Sequence, residues 1–428
     1  MNKVREIFTR LAESALAYAG ALIRWLFISL PIGLIAGLIG TAFHKSVEYV
    51  TDLRLEYHWL IFLLPVIGAG ISLVYKALRV EGHDTNDVIS QVNEGTGLHA
   101  ALLPAVFVST VVTHLGGGSA GREGAALQMG GTVGYTVAKL LRLDQREMRI
   151  FTMAGMAAFF SALFGTPVAA AVFVIAVASV GSFRHAAFLP CLSAALVAYV
   201  LSIGLGVEPT RFTVEIPQLS GLTVLGVIGL GVLSALVSVI FCETIHFVAH
   251  AFKKYIPSPL WRAALGGIVL IGMSLIASSG DYNGAGMNVI RDAVESGRAK
   301  PYAFAVKILF TAVTLGAGFK GGEVVPSFYV GATFGCFVGT LMGLPAGFAA
   351  ALGLIGVFCG AVNCPIASMF LFIEMFGSEG LVYAALICGL SYVLSGYSGI
   401  YSSQHIMYDK LRADLIDVHT NEKNTRIR

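Results

Sequence analysis

Long apolar runs recur along the chain, around 15–42, 58–78, 100–115, 184–206, 219–242 and 262–278. Each reads as long enough to cross a hydrocarbon core of about 30 Å as a helix. Between them lie shorter apolar stretches broken by glycine. The clearest polar break is 204–218, with Glu208, Pro209, Arg211, Glu215 and Pro217, which reads as a loop joining two halves. The pattern predicts an all-α polytopic membrane protein. Its expected parts are a cytoplasmic N-terminal segment (1–14), one transmembrane domain (15–412, halves about 15–205 and 219–412) and a short tail (413–428).

Composition agrees: 56% of the residues are apolar and 12% charged, with a mean hydropathy of +0.79, where soluble domains carry about 25% charged residues. The first run is too long for a signal peptide, Arg24 interrupts it, and no small-residue cleavage site follows. Lys3, Arg5 and Arg10 precede it, and Lys410, Arg412, Lys423, Arg426 and Arg428 follow the last run. The positive-inside tendency therefore puts both termini in the cytoplasm, with the chain in an inner or plasma membrane. A net charge of +3 needs no nucleic-acid partner. Cys191, Cys242, Cys336, Cys359, Cys364 and Cys388 all lie in apolar segments without CxxC or Cys/His spacing. They are expected to pack as small hydrophobes, with no metal, cofactor or disulfide framework.

The two halves share landmarks. Glu123 precedes Gly131-Thr132-Val133-Gly134, and Glu323 precedes Gly331-Ala332-Thr333-Phe334-Gly335, a shift of 200 between the glutamates. Thr166-Pro167 and Cys364-Pro365 follow at a shift of 198. Paired, interrupted segments in corresponding positions of two halves point to a transport site near the bilayer midplane. For isolated glycines, close helix packing is the simpler explanation.

Glu123 carries the sharpest signal. It lies in Gly116-Gly117-Gly118-Ser119-Ala120-Gly121-Arg122-Glu123-Gly124, and a carboxylate at membrane depth is a functional-site candidate by default. The glycines let backbone N–H groups approach a ligand, and the helix that follows aims its positive end at the same place. A small anion, or the Glu123 carboxylate in its absence, suits that spot. Competition between an anion and a proton acceptor implies coupled anion and proton transport.

GGGSAGREGAALQMGG (116–131), with GAGFKGGEVVPSFYVGATFG (316–335) at the matching place in the second half, resembles the CLC family of anion channels and proton-coupled antiporters. The resemblance implies an inverted repeat of roughly 18 helices, many tilted or half-spanning, in a homodimer with one pore per subunit. It makes Glu123 the gating, proton-carrying glutamate, flanked by Arg122 and Gly124. It places Glu323, Val324 and Val325 at the second anion-binding helix start, and it makes Tyr401 the central tyrosine, with Tyr408 as the fallback. The family's Gly-Ser-Gly-Ile-Pro is absent. Gly82-His83-Asp84-Thr85-Asn86 stands in its place, so these five become anion-site candidates without the serine hydroxyl. Ala125 replaces the proline after GREG, and Ala176 and Val177 stand where chloride/proton antiporters carry an inner pair of glutamates. With a glutamate at 323, these departures resemble the fluoride-exporting CLC-F branch, although Val325 stands where that branch has threonine. Fluoride or chloride, protons, lipid and a second copy are the implied partners. The alternative is a chloride/proton antiporter or a voltage-gated-type chloride channel of the same family.

Among the remaining candidates, Phe328, Tyr329 and Phe334 recur beside the second site, where ring edges suit a small anion but ordinary packing explains them as well. Lys307 and Lys320 are read evenly as sources of positive potential or as snorkelling lysines. Glu243, His246 and His250 share a helix face and read as a satisfied polar stripe rather than a metal site. Glu374, following Pro365, reads as a buried structural acid whose role the sequence does not resolve. An intramembrane enzyme is disfavoured, because no HExxH, serine or lysine dyad, or pair of membrane aspartates is present.

Overall fold

A computed structural model describes residues 2–412 and 414–422; Lys423, Arg426 and Arg428 of the expected tail lie outside the described residues. The first half contains α1 (Asn2–Glu56), α2 (Leu64–Ala77), α3 (Thr85–Asn93), α4 (Leu102–Gly116), α5 (Glu123–Leu140), α6 (Gln145–Phe164), α7 (Pro167–Ala178) and α8 (Phe188–Gly204). The second contains α9 (Gly221–Tyr255), α10 (Pro259–Ala277), α11 (Met287–Glu295), α12 (Ala303–Ala317), α13 (Val324–Leu341), α14 (Ala346–Val362), α15 (Pro365–Phe376) and α16 (Leu381–Leu394). These sixteen helices, with three short 3₁₀ turns, meet the expectation of a many-helix CLC fold. Seven described helices are long and apolar enough to cross a membrane. The run at 100–115 is not among them: α4 has 15 residues and stops at Gly117, whose φ of +81° ends the helix in the left-handed region.

Helix α1 to helix α8 repeat as α9 to α16. Partners α3/α11, α4/α12, α5/α13 and α7/α15 have equal lengths of 9, 15, 18 and 12 residues. Their ends match as well. Gly165 (φ +70°) and Asn363 (φ +57°) close α6 and α14. Thr166 (φ −125°, ψ 72°) and Cys364 (φ −123°, ψ 70°) then turn the chain into Pro167 and Pro365, each in a first helical turn where a missing N–H costs nothing.

The halves interlock reciprocally. Ser119 N–H donates to Thr314 Oγ1 (3.0 Å), and Lys320 N–H donates to Thr113 Oγ1 (3.3 Å). Both donors and both acceptors are related by a shift of 201. Gly121 and Gly322 form an antiparallel bridge, with N–H to carbonyl distances of 2.7 and 2.8 Å in the two directions. Buried irregular backbone is thereby satisfied at membrane depth, as it must be. The later glycines serve packing: a Cβ at Gly130 or Gly331 meets the carbonyl of Gly155 or Gly353 at 2.3 Å, so α5 lies on α6, and α13 on α14, at backbone contact.

Two features extend the sequence reading. Glu374 on α15 accepts from the N–H groups of Val168 (3.1 Å) and Ala169 (2.8 Å), capping the start of α7. The matching position on α7, nine residues after its proline, is Ala176, which has no carboxylate to return the contact. Glu374→Gln leaves one of the two donors poorly served, so a loss of about 1–3 kcal/mol of stability is expected, read as a lowered melting temperature in detergent. An unchanged melting point means the cap contributes nothing.

The expectation of an all-α chain also needs one addition. After α16 the chain forms β2 (His405–Tyr408) and β3 (Leu415–His419), which pair antiparallel, while β2 pairs parallel with β1 (Ser179–Val180). Gln404, fully buried, anchors this small sheet by donating to the carbonyls of Val177 and Val362, both at 2.8 Å.

Candidate functional site

The bridge between Gly121 and Gly322 places the starts of α5 and α13 side by side. Arg122 and Glu323 are the residues just before the respective helices. A Cβ at Gly322 would lie 2.4 Å from Gly124 N, and one at Gly321 2.4 Å from the Ala120 Cβ, so only glycine permits this approach. Two positive helix ends thus face a shared point.

Glu123 occupies that point. Its residue is fully buried, and Oε2 accepts from Val325 N–H (3.2 Å) in the first turn of α13. The carboxylate of one half therefore sits on the helix start of the other. Oε1 is buried with no hydrogen-bond partner, as are Glu323 Oε2 and Tyr401 Oη. Tyr401 is 1% exposed. Tyr408, the fallback, is 45% exposed on β2 and plays no part here. Phe328, one turn into α13, sets its ring against Phe358 (5.1 Å, 73°) and Phe164 (6.1 Å, 65°), packing the wall of the site.

The segment 82–86 divides. Thr85 Oγ1 accepts from Gln128 Nε2 (3.1 Å) and would lie 3.2 Å from a Cβ on Gly124, so it belongs to the site. The other four expected anion contacts are engaged elsewhere. Gly82 makes a turn at φ +84°. Asp84 caps α3, accepting from Asn86 N–H (2.7 Å), while Asp87 accepts from Asp84 N–H (2.7 Å). His83 Nδ1 lies 3.1 Å from Asp87, and its side chain is 31% exposed. Asn86 Oδ1 accepts from Ser403 N–H (3.0 Å), tying α3 to the segment after Tyr401. A short helix needs its cap, and Asp84 supplies it at the start of α3.

The lysines separate similarly. Lys320 Nζ donates to the His83 carbonyl (3.3 Å) and lies 4.2 Å from the Tyr75 ring centre, linking the two motifs. Lys307 is fully buried and does not snorkel: Nζ donates to the carbonyls of Tyr282 (3.1 Å) and Gly284 (2.7 Å) and faces the Tyr329 ring. His246 and Glu243 hold Gly399 and Ser398, as a satisfied polar stripe would. Gln128 was missed, although it lies inside the quoted motif one helical turn beyond Gly124.

The arrangement permits an exchange. An ionised carboxylate on helix-start amides is held by charge-assisted hydrogen bonding. Protonation removes that advantage, and a small anion takes the same donors.

The chain is similar to known proteins along most of its length. Residues 67–396 match the family model described as voltage gated chloride channel. A "Chloride/fluoride channel protein" of Pseudomonas syringae pv. tomato is 34% identical over 396 residues, 90% of this chain and 87% of that one. A Vibrio cholerae "H(+)/Cl(-) exchange transporter ClcA" is 27% identical, covering 86% of this chain and 85% of its own. The crystal structure of a CLC-type fluoride/proton antiporter superposes with a TM-score of 0.86 at 33% identity, over 90% of this chain and 98% of that one.

Proposed function

The chain belongs to the CLC family of anion channels and transporters, and we propose that it exchanges fluoride for protons across a cell membrane. The observation that carries this reading is the Glu123 carboxylate seated on the Val325 amide. A group that can bind a proton there occupies the place an anion would take. Glu123 picks up a proton from outside, leaves the site neutral, and admits the anion to the vacated amides. Its return in the charged form displaces the anion.

Fluoride is favoured over chloride by three residue-level features. No serine hydroxyl stands in 82–86, Ala176 and Val177 offer no inner carboxylate, and Glu323 adds a second acid at the start of α13. Fluoride is small and strongly hydrated and needs short contacts to replace its water. A charged Glu323 repels it, so Glu323 must be protonated or turned away when fluoride passes. The fluoride/proton exchange named for the similar antiporter, and the fluoride in the name of the Pseudomonas relative, point the same way.

We place both termini in the cytoplasm. Arg24 of α1 pairs with Glu147 (2.8 Å) beside the α5–α6 turn, which carries Arg142, with Arg146 in the first turn of α6. Arg149 donates to the Glu94 carbonyl, and neighbouring Asn93 meets β1, which pairs with the C-terminal strands. The last third of α9, ending in Lys253 and Lys254, holds Gly399 and Asn421 through His246. Arg24, the strands after α16 and the basic residues at these helix ends are thus linked on one side of the protein, which supports a cytoplasmic side there. A single transmembrane domain (15–412) and a homodimer with one pore per subunit complete the proposal.

The test is anion efflux from proteoliposomes loaded with fluoride or chloride, with external pH followed together with the ion. Fast fluoride release with opposed proton uptake, and little chloride movement, is expected. Equal chloride release would move the assignment to the chloride/proton antiporters, and release of neither ion would sink the transport reading.

A further inference from the structure

On the cytoplasmic side, away from the anion pathway, three residues from separate segments meet at the small sheet. His405 on β2 and His419 on β3 are direct cross-strand partners, their rings 4.1 Å apart. Glu94, just past the end of α3, joins them, and one ligand atom from each of the three lies within 4.8 Å of the other two. The geometry points to a transition-metal site of the His₂Glu type, suited to zinc and open to the cytoplasm.

The donor set supports a metal over a simple polar cluster. Two imidazoles and one carboxylate form a ligand set that zinc uses with a fourth position left for water. His405 Nδ1 faces Asp417 Oδ1 at 3.0 Å, while its Nε2 is buried without any hydrogen-bond partner. A histidine with one nitrogen fixed by a carboxylate presents the other nitrogen as a ligand in a defined tautomer, as is common around bound metals. Ligands about 2.0–2.2 Å from one zinc ion must lie well inside the 4.8 Å that bounds these three atoms. Glu94 is exposed, so its side chain has room to turn towards the two imidazoles.

The framework beneath is already ordered. Asn93 donates to the Ala178 carbonyl (2.8 Å) and accepts from Ser179 Oγ (3.0 Å), holding the end of α3 against β1. Arg149 fixes the Glu94 backbone carbonyl at 2.8 Å. A metal here would link the end of α3, whose start carries Thr85, to the strand that follows Tyr401 and Gln404. It would therefore clamp two segments that each reach the anion site.

The test uses the full-length protein, purified in detergent with a chelator and then dialysed free of it. Titration with zinc, and with cobalt as a spectroscopic probe, is expected to give one ion per chain, the cobalt form showing the intense visible bands of tetrahedral coordination. Zinc should raise the melting temperature. H405Q and H419Q should lose both binding and the thermal shift. D417N, which removes only the orienting carboxylate, should weaken binding about 10–100-fold. Melting curves in chelator establish that each variant is folded; should H405Q unfold, H419Q and E94Q carry the test. Binding that survives in folded H419Q and E94Q, or a stoichiometry well below one, overturns the site.

Discussion

Replacing Glu123 with glutamine is expected to abolish proton movement through the protein while leaving it folded. The amide oxygen of glutamine still accepts from Val325 N–H, so the contact that holds the side chain on α13 survives in weaker, uncharged form. What disappears is the ability to bind and release a proton. Positioned acid–base groups contribute about 10²–10⁴-fold to proton transfer, so proton uptake accompanying fluoride release should fall by roughly 100-fold or more. Simultaneous ion-electrode and pH recordings on proteoliposomes read both quantities. Continued exchange of protons for fluoride at the parent ratio would falsify the role given to Glu123.

Gly322→Ala is expected to damage both stability and transport. The added Cβ would lie 2.4 Å from Gly124 N and 2.9 Å from Glu123 N, and these neighbours are backbone atoms that cannot rotate away. Separating them breaks the bridge to Gly121 and moves the starts of α5 and α13 apart. Overpacking a close-packed interior costs about 1–3 kcal/mol, and here the strain falls on the site itself. Gly389→Ala is the matched control, since its Cβ, on α16, meets nothing within 4 Å. A lower melting temperature and lost fluoride flux for the first variant, with neither for the second, is the expected outcome. Parent-like melting and flux in Gly322→Ala would mean that the close approach is incidental.

Much of this protein is legible without coordinates. The length of its apolar runs marks a membrane chain, because the hydrocarbon core sets how far a helix must reach. The duplication shows in the spacing of Glu123 and Glu323 and of Pro167 and Pro365, since glycine and proline punctuate helices wherever they fall. Glu123 is conspicuous because ionisable groups at membrane depth are costly. These are local properties, carried by residue type and position alone.

What the tertiary structure decided depends on which segments meet. Thr85 joins the site while Asp84 caps α3, a division no spacing within 82–86 reveals. Tyr401 is buried and Tyr408 exposed because Gln404 pins the chain between Val177 and Val362, which lie far apart in sequence. Glu374 reaches α7, Lys307 reaches the loop after α10, and Glu94 meets His405 and His419, each across a long stretch of chain. The reciprocal threonine latches and the glycine bridge set these encounters by joining two halves at backbone contact. Periodicity records what each segment buries, but not which segment of the other half lies against it.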